Sequence, residues 1–242
     1  MTNARTVTGQ MMTQPMLISD LLEYAAAHHG TREIISRRLE GDIHRYTYKD
    51  ALQRSKQLAH ALISLGVQPG DRVATLAWNG YRHFECYYGI SGIGAICHTV
   101  NPRLYSEQVE YIIQHAEDCY VFLDACFAPL LEPIADKLSS VKGFILMIDE
   151  DQMPVTSLPN VHNYEHLLAQ QPDIYEWPRF DADTAACLCY TSGTTGPSKG
   201  CMVSYNFMCN RARLQPKAGP ATAQDVTITP LPLFHMNALC VG

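Results

Sequence analysis

The chain has 242 residues, 47% of them hydrophobic and 17% charged, which is a globular composition with enough chain for a sizeable core and excludes a disordered polymer. Its formal net charge of -6, from 18 basic and 24 acidic residues, leaves no basic stripe for nucleic acid. Nine cysteines without C-x-x-C spacing read as buried free thiols of a reducing, cytoplasmic compartment and give no sulfur metal site.

Residues 1–16 form a loose, polar N-terminus without the apolar stretch of a secretory signal. Pro15 then opens a helix with Leu17, Ile18, Leu21, Leu22 and Ala25 on one face, ended by Gly30 after His28 and His29. Glu33 to Arg38 and Ile43 to Tyr48 flank a Glu40-Gly41-Asp42 hairpin turn. Thr47 with Asp50 is a capping-box variant that starts a long helix, with Leu52, Leu58, Ala59, Leu62 and Leu65 at helical spacing and Gly66 as its C′ residue. A strand over Arg72 to Trp78 and a helix over Tyr81 to Gly92 follow. Next come a strand at Ala95 to His98, a helix capped by Ser106, a strand at Cys119 to Leu123, a helix over Phe127 to Leu138 and a strand at Gly143 to Ile148. The longest apolar candidate, Tyr87 to Val100, is broken by three glycines and cannot span a bilayer. Asp149 to Pro159 reads as a solvated connection, Asn163 to Gln170 as a short helix, and the run through Asp183 as another polar connection. Strand and helix alternate, which predicts an α/β fold with a largely parallel, doubly wound sheet and ligands at the carboxyl ends of its strands. We expect one α/β subdomain over residues 17–183 and the start of a second over 184–242.

The run Ala185 to Tyr190 is a buried strand that drives into Thr191-Ser192-Gly193-Thr194-Thr195-Gly196-Pro197-Ser198-Lys199-Gly200. Glycines free to take positive φ, clustered hydroxyls and one lysine suit a polyphosphate: amides and hydroxyls satisfy its oxygens, and the ammonium neutralises its charge. The Walker A order fails, because Ser198 precedes Lys199 and Gly200 follows it. A plain surface turn would explain the composition but not a lysine closing a glycine-spaced hydroxyl cluster directly after a strand.

This run closely resembles the signature loop of the adenylate-forming superfamily, which includes acyl-CoA and aryl-CoA ligases. Gly66 to Ala74, Trp78-Asn79, Val100 to Leu104 and His115 to Asp118 resemble fatty acyl-CoA ligases in the same order, nearest to medium- and long-chain enzymes. The resemblance implies an incomplete N-terminal domain of an acid–thiol ligase acting on a carboxylic acid, ATP and CoA. Thr191, Ser192, Gly193, Thr194, Thr195, Gly196 and Lys199 match its triphosphate loop, with Lys199 and Thr194 in catalytic roles. His235, in Leu231-Pro232-Leu233-Phe234-His235-Met236-Asn237, matches the position bordering the acyl pocket. No acid stands in that motif to pair with an α-amine. The family's magnesium-holding glutamate, ribose-binding aspartate and C-terminal lysine have no match in these residues, so Mg2+ is expected to be held outside them and the isolated chain to be inactive. Cys201 to Tyr205 and the stretch through Arg213 are more similar to carnitine- or crotonobetaine-type ligases. A non-catalytic fragment with weak nucleotide binding is the alternative of a different class, and a homo-oligomer is compatible with the composition.

Some readings stay separate from that resemblance. His162-x-x-Glu165-His166 formally matches an inverted zinc-protease motif, set against a solvated helix start. Asp149-Glu150-Asp151 reads as a surface turn, Cys187 and Cys189 as flanking the buried strand, and Tyr190 as either a packing residue or part of the site.

Overall fold

The computed structural model describes residues 14–191, 196–214, 222 and 224–235. Seven strands form one sheet in the order β7-β6-β5-β3-β4-β8-β9, beside a two-stranded β1-β2 hairpin. α1 (Ile18–His29) leads to β1 (Glu33–Arg37) and β2 (Ile43–Thr47), paired antiparallel from Glu33 opposite Thr47 to Arg37 opposite Ile43. α2 (Tyr48–Ser64) starts on the expected box: the Thr47 hydroxyl accepts the Asp50 N–H at 3.2 Å, and the Asp50 carboxylate accepts the Thr47 N–H at 2.8 Å. Gly66 follows the helix at φ +81°.

β3 (Arg72–Leu76), α3 (Tyr81–Gly92), β4 (Ile96–Thr99), α4 (Ser106–Ala116) and β5 (Tyr120–Leu123) come next. β3 pairs in parallel with both β4 and β5. The chain therefore leaves β3 to one side and returns past it to the other, creating a switch point at the β3 and β5 carboxyl ends. β6 (Gly143–Leu146) and β7 (Val161–Asn163) extend that edge in parallel. Val73, Phe122 and Ile145 face Leu58, Ile90 and Leu168 on one side, while Ala74, Val121 and Phe144 face Val109, Ile113 and Leu131 on the other. Both faces are covered, so these strands are apolar throughout, as parallel strands between helical layers must be.

Ser106 does not cap α4. Tyr105 holds the cap position, its N–H donates to Gln108 Oε1 at 3.2 Å, and the Ser106 hydroxyl instead donates to the Leu130 carbonyl at 3.2 Å. The helix expected over Phe127 to Leu138 is broken into α5 (Ala128–Leu131) between 3-10 turns at Ala125–Phe127 and Glu132–Lys137. Pro129 and Pro133 explain the break, since each removes a donor and crowds the preceding turn. Asn163 caps α6 (Tyr164–Ala169) by accepting the His166 N–H at 2.9 Å, and β7, too short for alternation to show, precedes it.

Two stretches expected to be solvated are anchored. Asp149 is half-buried and bound by Arg38 at 2.7 Å and by Arg82 at 2.5 Å. In the run to Asp183, Trp177 packs so closely on Gly92 that an added Cβ there would lie 2.3 Å from its ring, and Phe180 stacks on Tyr205. β8 (Ala185–Thr191) pairs in parallel with β4, β9 (Lys199–Ser204) closes the sheet antiparallel to β8, and α7 (Tyr205–Leu214) follows. Cysteine burial is mixed: Cys86, Cys97, Cys119, Cys187 and Cys209 are buried, but Cys126 and Cys201 are exposed. Among the described residues no helix is long and apolar enough to cross a membrane.

Candidate functional site

The β8-β9 hairpin builds the site's first wall. Ala186, Cys187 and Leu188 are buried in β8, whose register with β4 (Cys97 opposite Cys187, Thr99 opposite Cys189) brings both strands to one edge. β9 returns with Gly200 opposite Tyr190 and Lys199 opposite Thr191. Lys199 is exposed, and among the described residues no carboxylate lies within ion-pair distance of it. Ser192, Gly193, Thr194 and Thr195 lie outside the described residues. Gly196 is exposed and leaves open space where a Cβ would sit. The Tyr111 hydroxyl of α4 donates to the Ser198 carbonyl at 3.4 Å.

A cavity of about 70 Å³ opens beside this hairpin at the carboxyl ends of β4 and β8. Leu104, Ile112 and Phe234 give it an apolar wall, while Asn101, Tyr190 and His235 supply polar groups. His235 is exposed, and its N–H closes a turn onto the Pro232 carbonyl at 2.9 Å. Tyr190 both lines this cavity and packs against the core. Burial pushes its phenol up to about 12, so it stays protonated at neutral pH, and its hydroxyl shares a hydrogen bond with His115 Nδ1, 2.6 Å away. Beneath its ring, His98 and Asp118 are fully buried and 2.7 Å apart. Burial raises the Asp118 carboxyl, and its contact with His98 only partly offsets this.

At the switch point itself lies a smaller cavity, about 40 Å³, lined by residues including Arg38, Glu40, Arg82 and Asp124. The charges of Arg38, Glu40 and Arg82 are committed to ion pairs. Arg82 binds Glu40 at 2.7 Å, Asp149 at 2.5 Å and Glu165 at 2.6 Å, and Arg54 binds the fully buried Glu85 at 2.7 Å. Burial lifts Asp124 to about 7, against the Trp78 N–H it accepts at 2.7 Å. Burial likewise lowers His83 to about 4, leaving a neutral ring between Thr75 and the Trp78 carbonyl.

The zinc-type motif does not assemble on one helical face. His162 lies in β7, Glu165 on α6 is held by Arg54, Tyr81 and Arg82, and His166 faces Glu150 at 3.1 Å. Among the described residues no three His, Cys, Asp or Glu side chains converge on a metal-sized site.

Sequence patterns gave no role to Asn79, Tyr87 or Thr99, although these three hold the segment bearing His235. Asn79 Nδ2 donates to the carbonyls of Thr229 at 3.0 Å and Leu231 at 2.8 Å, while its Oδ1 accepts the Leu233 N–H at 2.7 Å. The Thr99 hydroxyl donates to the Phe234 carbonyl at 3.0 Å, and the Tyr87 hydroxyl to that of Leu233. The available signals were the resemblance around Trp78-Asn79, which assigned Asn79 no role, and the position of Asn79 and Thr99 just at or beyond strand ends, where α/β proteins place their sites.

The fold is that of an α/β protein with a mostly parallel sheet, and its candidate site lies at the carboxyl ends of the strands. More narrowly, the chain belongs to the AMP-binding enzyme family, whose model matches residues 22–242. It is 44% identical over 232 residues to a 3-methylmercaptopropionyl-CoA ligase of Ruegeria lacuscaerulensis, covering 95% of this chain and 43% of that protein. It is 42% identical to a medium-chain-fatty-acid–CoA ligase of Ectopseudomonas oleovorans, covering 95% of this chain and 42% of the relative. The chain thus spans about two fifths of the length of these curated relatives. Among solved structures, the N-terminal domain of FACL13 from Mycobacterium tuberculosis matches with a TM-score of 0.79 at 22% identity, covering 93% of this chain and 53% of that one. The anthranilate CoA ligase AuaEII, in complex with anthranoyl-AMP, matches with a TM-score of 0.74 at 22% identity, covering 84% and 37%. These two likenesses bear on the fold.

Proposed function

We propose that this chain is the N-terminal portion of an ATP-dependent acyl-CoA ligase that activates a carboxylic acid, most plainly a medium- or long-chain fatty acid. The observation that carries the reading is the edge hairpin: Lys199 stands at its loop end opposite Thr191, one residue along from Tyr190, which lines a part-apolar cavity together with His235. In the reaction, a carboxylate oxygen attacks the α-phosphorus of ATP and the bond to pyrophosphate breaks. A thiol sulfur then attacks the acyl carbon, AMP leaves with the bonding electrons, and the thiol proton passes to solvent. Thr191, Ser192, Gly193, Thr194, Thr195 and Gly196 would donate to the terminal phosphoryl oxygens. Lys199, as a mobile point charge, would offset the negative charge of the transferring centre, and Thr194 would share that catalytic role. His235 would border the acyl chain. Among the described residues no group of three His, Cys, Asp or Glu side chains is placed to hold Mg2+.

The names of the relatives support acid–thiol ligation, and they span a short thioether acid as well as fatty acids. An acid-dependent ATP–pyrophosphate exchange assay tests the reading. It is run on the 242-residue chain and on the longest in-frame protein containing it, with straight-chain acids of graded length, 3-methylmercaptopropionate, crotonobetaine and an aryl acid. Exchange by the longer protein, best with fatty acids, supports the reading. Silence with every acid contradicts it, and a preference for one of the other acids overturns the fatty-acid assignment alone.

A further inference from the structure

We propose that Asn79 is a positioning residue: its carboxamide fixes the course of residues 229–235 and thereby sets where His235 stands at the cavity. The proposal rests on the reading above for its functional consequence, but its geometry stands separately. Asn79 sits between β3 and α3, and 150 to 154 residues separate it from the carbonyls and N–H it binds. Those partners form a strap without regular secondary structure, so nothing in a helix or sheet ladder supplies its backbone bonds.

The pattern admits only one orientation of the amide. Two carbonyls, of Thr229 and Leu231, meet the Nδ2 donors, and one N–H, of Leu233, meets the Oδ1 acceptor. Turning the group over would set an oxygen against two oxygens and a donor against a donor. A side chain that merely filled space would not need this match. Beyond Asn79, the strap runs on through Phe234, whose carbonyl Thr99 holds and whose ring stands 6.4 Å from that of Trp78, to His235. The three anchors therefore come from three places (the β3-α3 connection, α3 and the end of β4) and converge on the seven-residue stretch 229–235. That stretch supplies Phe234 and His235 to the cavity, and Asn79 belongs to neither strand of the hairpin that carries Lys199, whereas Thr99 stands opposite Cys189 of that hairpin. Loosening it should change how the acid is held and leave nucleotide binding alone.

The test compares Asn79→Ala and Asn79→Asp with the unaltered protein. Aspartate has the same shape but places an acceptor against the carbonyls of Thr229 and Leu231. Hydrogen exchange of peptides covering 229–235 in the 242-residue chain should quicken roughly tenfold in both variants, as expected for losing a few net hydrogen bonds. In the longer in-frame protein, the KM for the acid should rise roughly tenfold while the KM for ATP stays within about twofold. Thr99→Val, which removes only the hydroxyl, should shift both readouts the same way. Exchange in Asn79→Asp equal to wild type would show that only shape matters and overturn the proposal, as would equal rises in both KM values. Failure of the underlying reading looks different. If His235→Ala left the acid KM unchanged while exchange quickened in both Asn79 variants, the clamp would stand and the assignment of His235 would fall.

Discussion

Replacing Arg82 with methionine removes the cation at the centre of the buried ion cluster while keeping most of the side-chain volume. The Arg82 side chain is 7% exposed and its partner Glu40 is 3% exposed, while Asp149 and Glu165 are 28% and 24% exposed. After the change, Asp149 keeps Arg38 at 2.7 Å and Glu165 keeps Arg54 at 3.0 Å, but Glu40 retains only Arg38 at 3.9 Å. One nearly buried carboxylate is thus left almost unpaired. Breaking a buried pair from one side costs about 3–5 kcal/mol, and water reaching the other two carboxylates places the expected loss near the lower end, at about 3 kcal/mol. Exposed pairs would give at most about 1 kcal/mol. The pH dependence has a definite sign. Burial would raise the Glu40 and Glu165 carboxyls, but Arg82 and, at Glu165, Arg54 outweigh it and hold both below their ordinary 4.5. Their stabilising contribution is complete above that value and is lost as pH falls through the lowered folded values. Urea unfolding followed by circular dichroism should therefore show the wild-type advantage in full at pH 7 and a shrinking gap below about pH 4.5. A loss under about 1 kcal/mol, or one independent of pH, would refute this account of the cluster.

Asp124→Asn probes the opposite sign. Because burial raises this carboxyl from 3.8 to about 7, the folded state holds a proton that the unfolded chain releases, and wild-type stability should fall as pH rises across that interval. Asparagine keeps an acceptor for the Trp78 N–H, so the variant should gain roughly 1–2 kcal/mol relative to wild type between pH 4 and pH 8, less than the full shift implies because the group is partly wet. Melting curves at the two pH values check it, and parallel curves would contradict it. Gly92→Ala should cost about 1–3 kcal/mol and redden Trp177 emission, because the new methyl meets the indole. Unchanged emission would show that the 171–183 run is not anchored there.

Much of the architecture is visible in the chain wherever a local rule decides the outcome. Thr47 and Asp50 announce the start of α2, and the Glu40-Gly41-Asp42 turn sets the β1-β2 hairpin. The apolar run of β8 points directly at the loop after it. What escapes is decided by partners distant in sequence. Arg82 meets Glu40, Asp149 and Glu165 across separations of 42, 67 and 83 residues, so two of those carboxylates look like turn and surface residues when read locally. Trp177 and Phe180 sit in a proline- and acid-rich run whose anchoring depends on glycines of the α3-β4 region. Prolines at 129 and 133 carried a local signal against one continuous helix, which the apolar spacing obscured. Lys199 and His235 stand out by motif, whereas Asn79, although it lies in the Trp78-Asn79 block, acts on backbone groups, and no side-chain pattern names that role.

Pyrophosphate exchange by Lys199→Ala, in the longer in-frame protein with its preferred acid, tests the proposed activity most directly. Removing a charge that offsets the transferring phosphoryl group should slow exchange roughly 100- to 1000-fold while the acid KM changes little. Exchange at the wild-type rate would mean that the edge hairpin does not grip the nucleotide, and the ligase assignment built on it would fail.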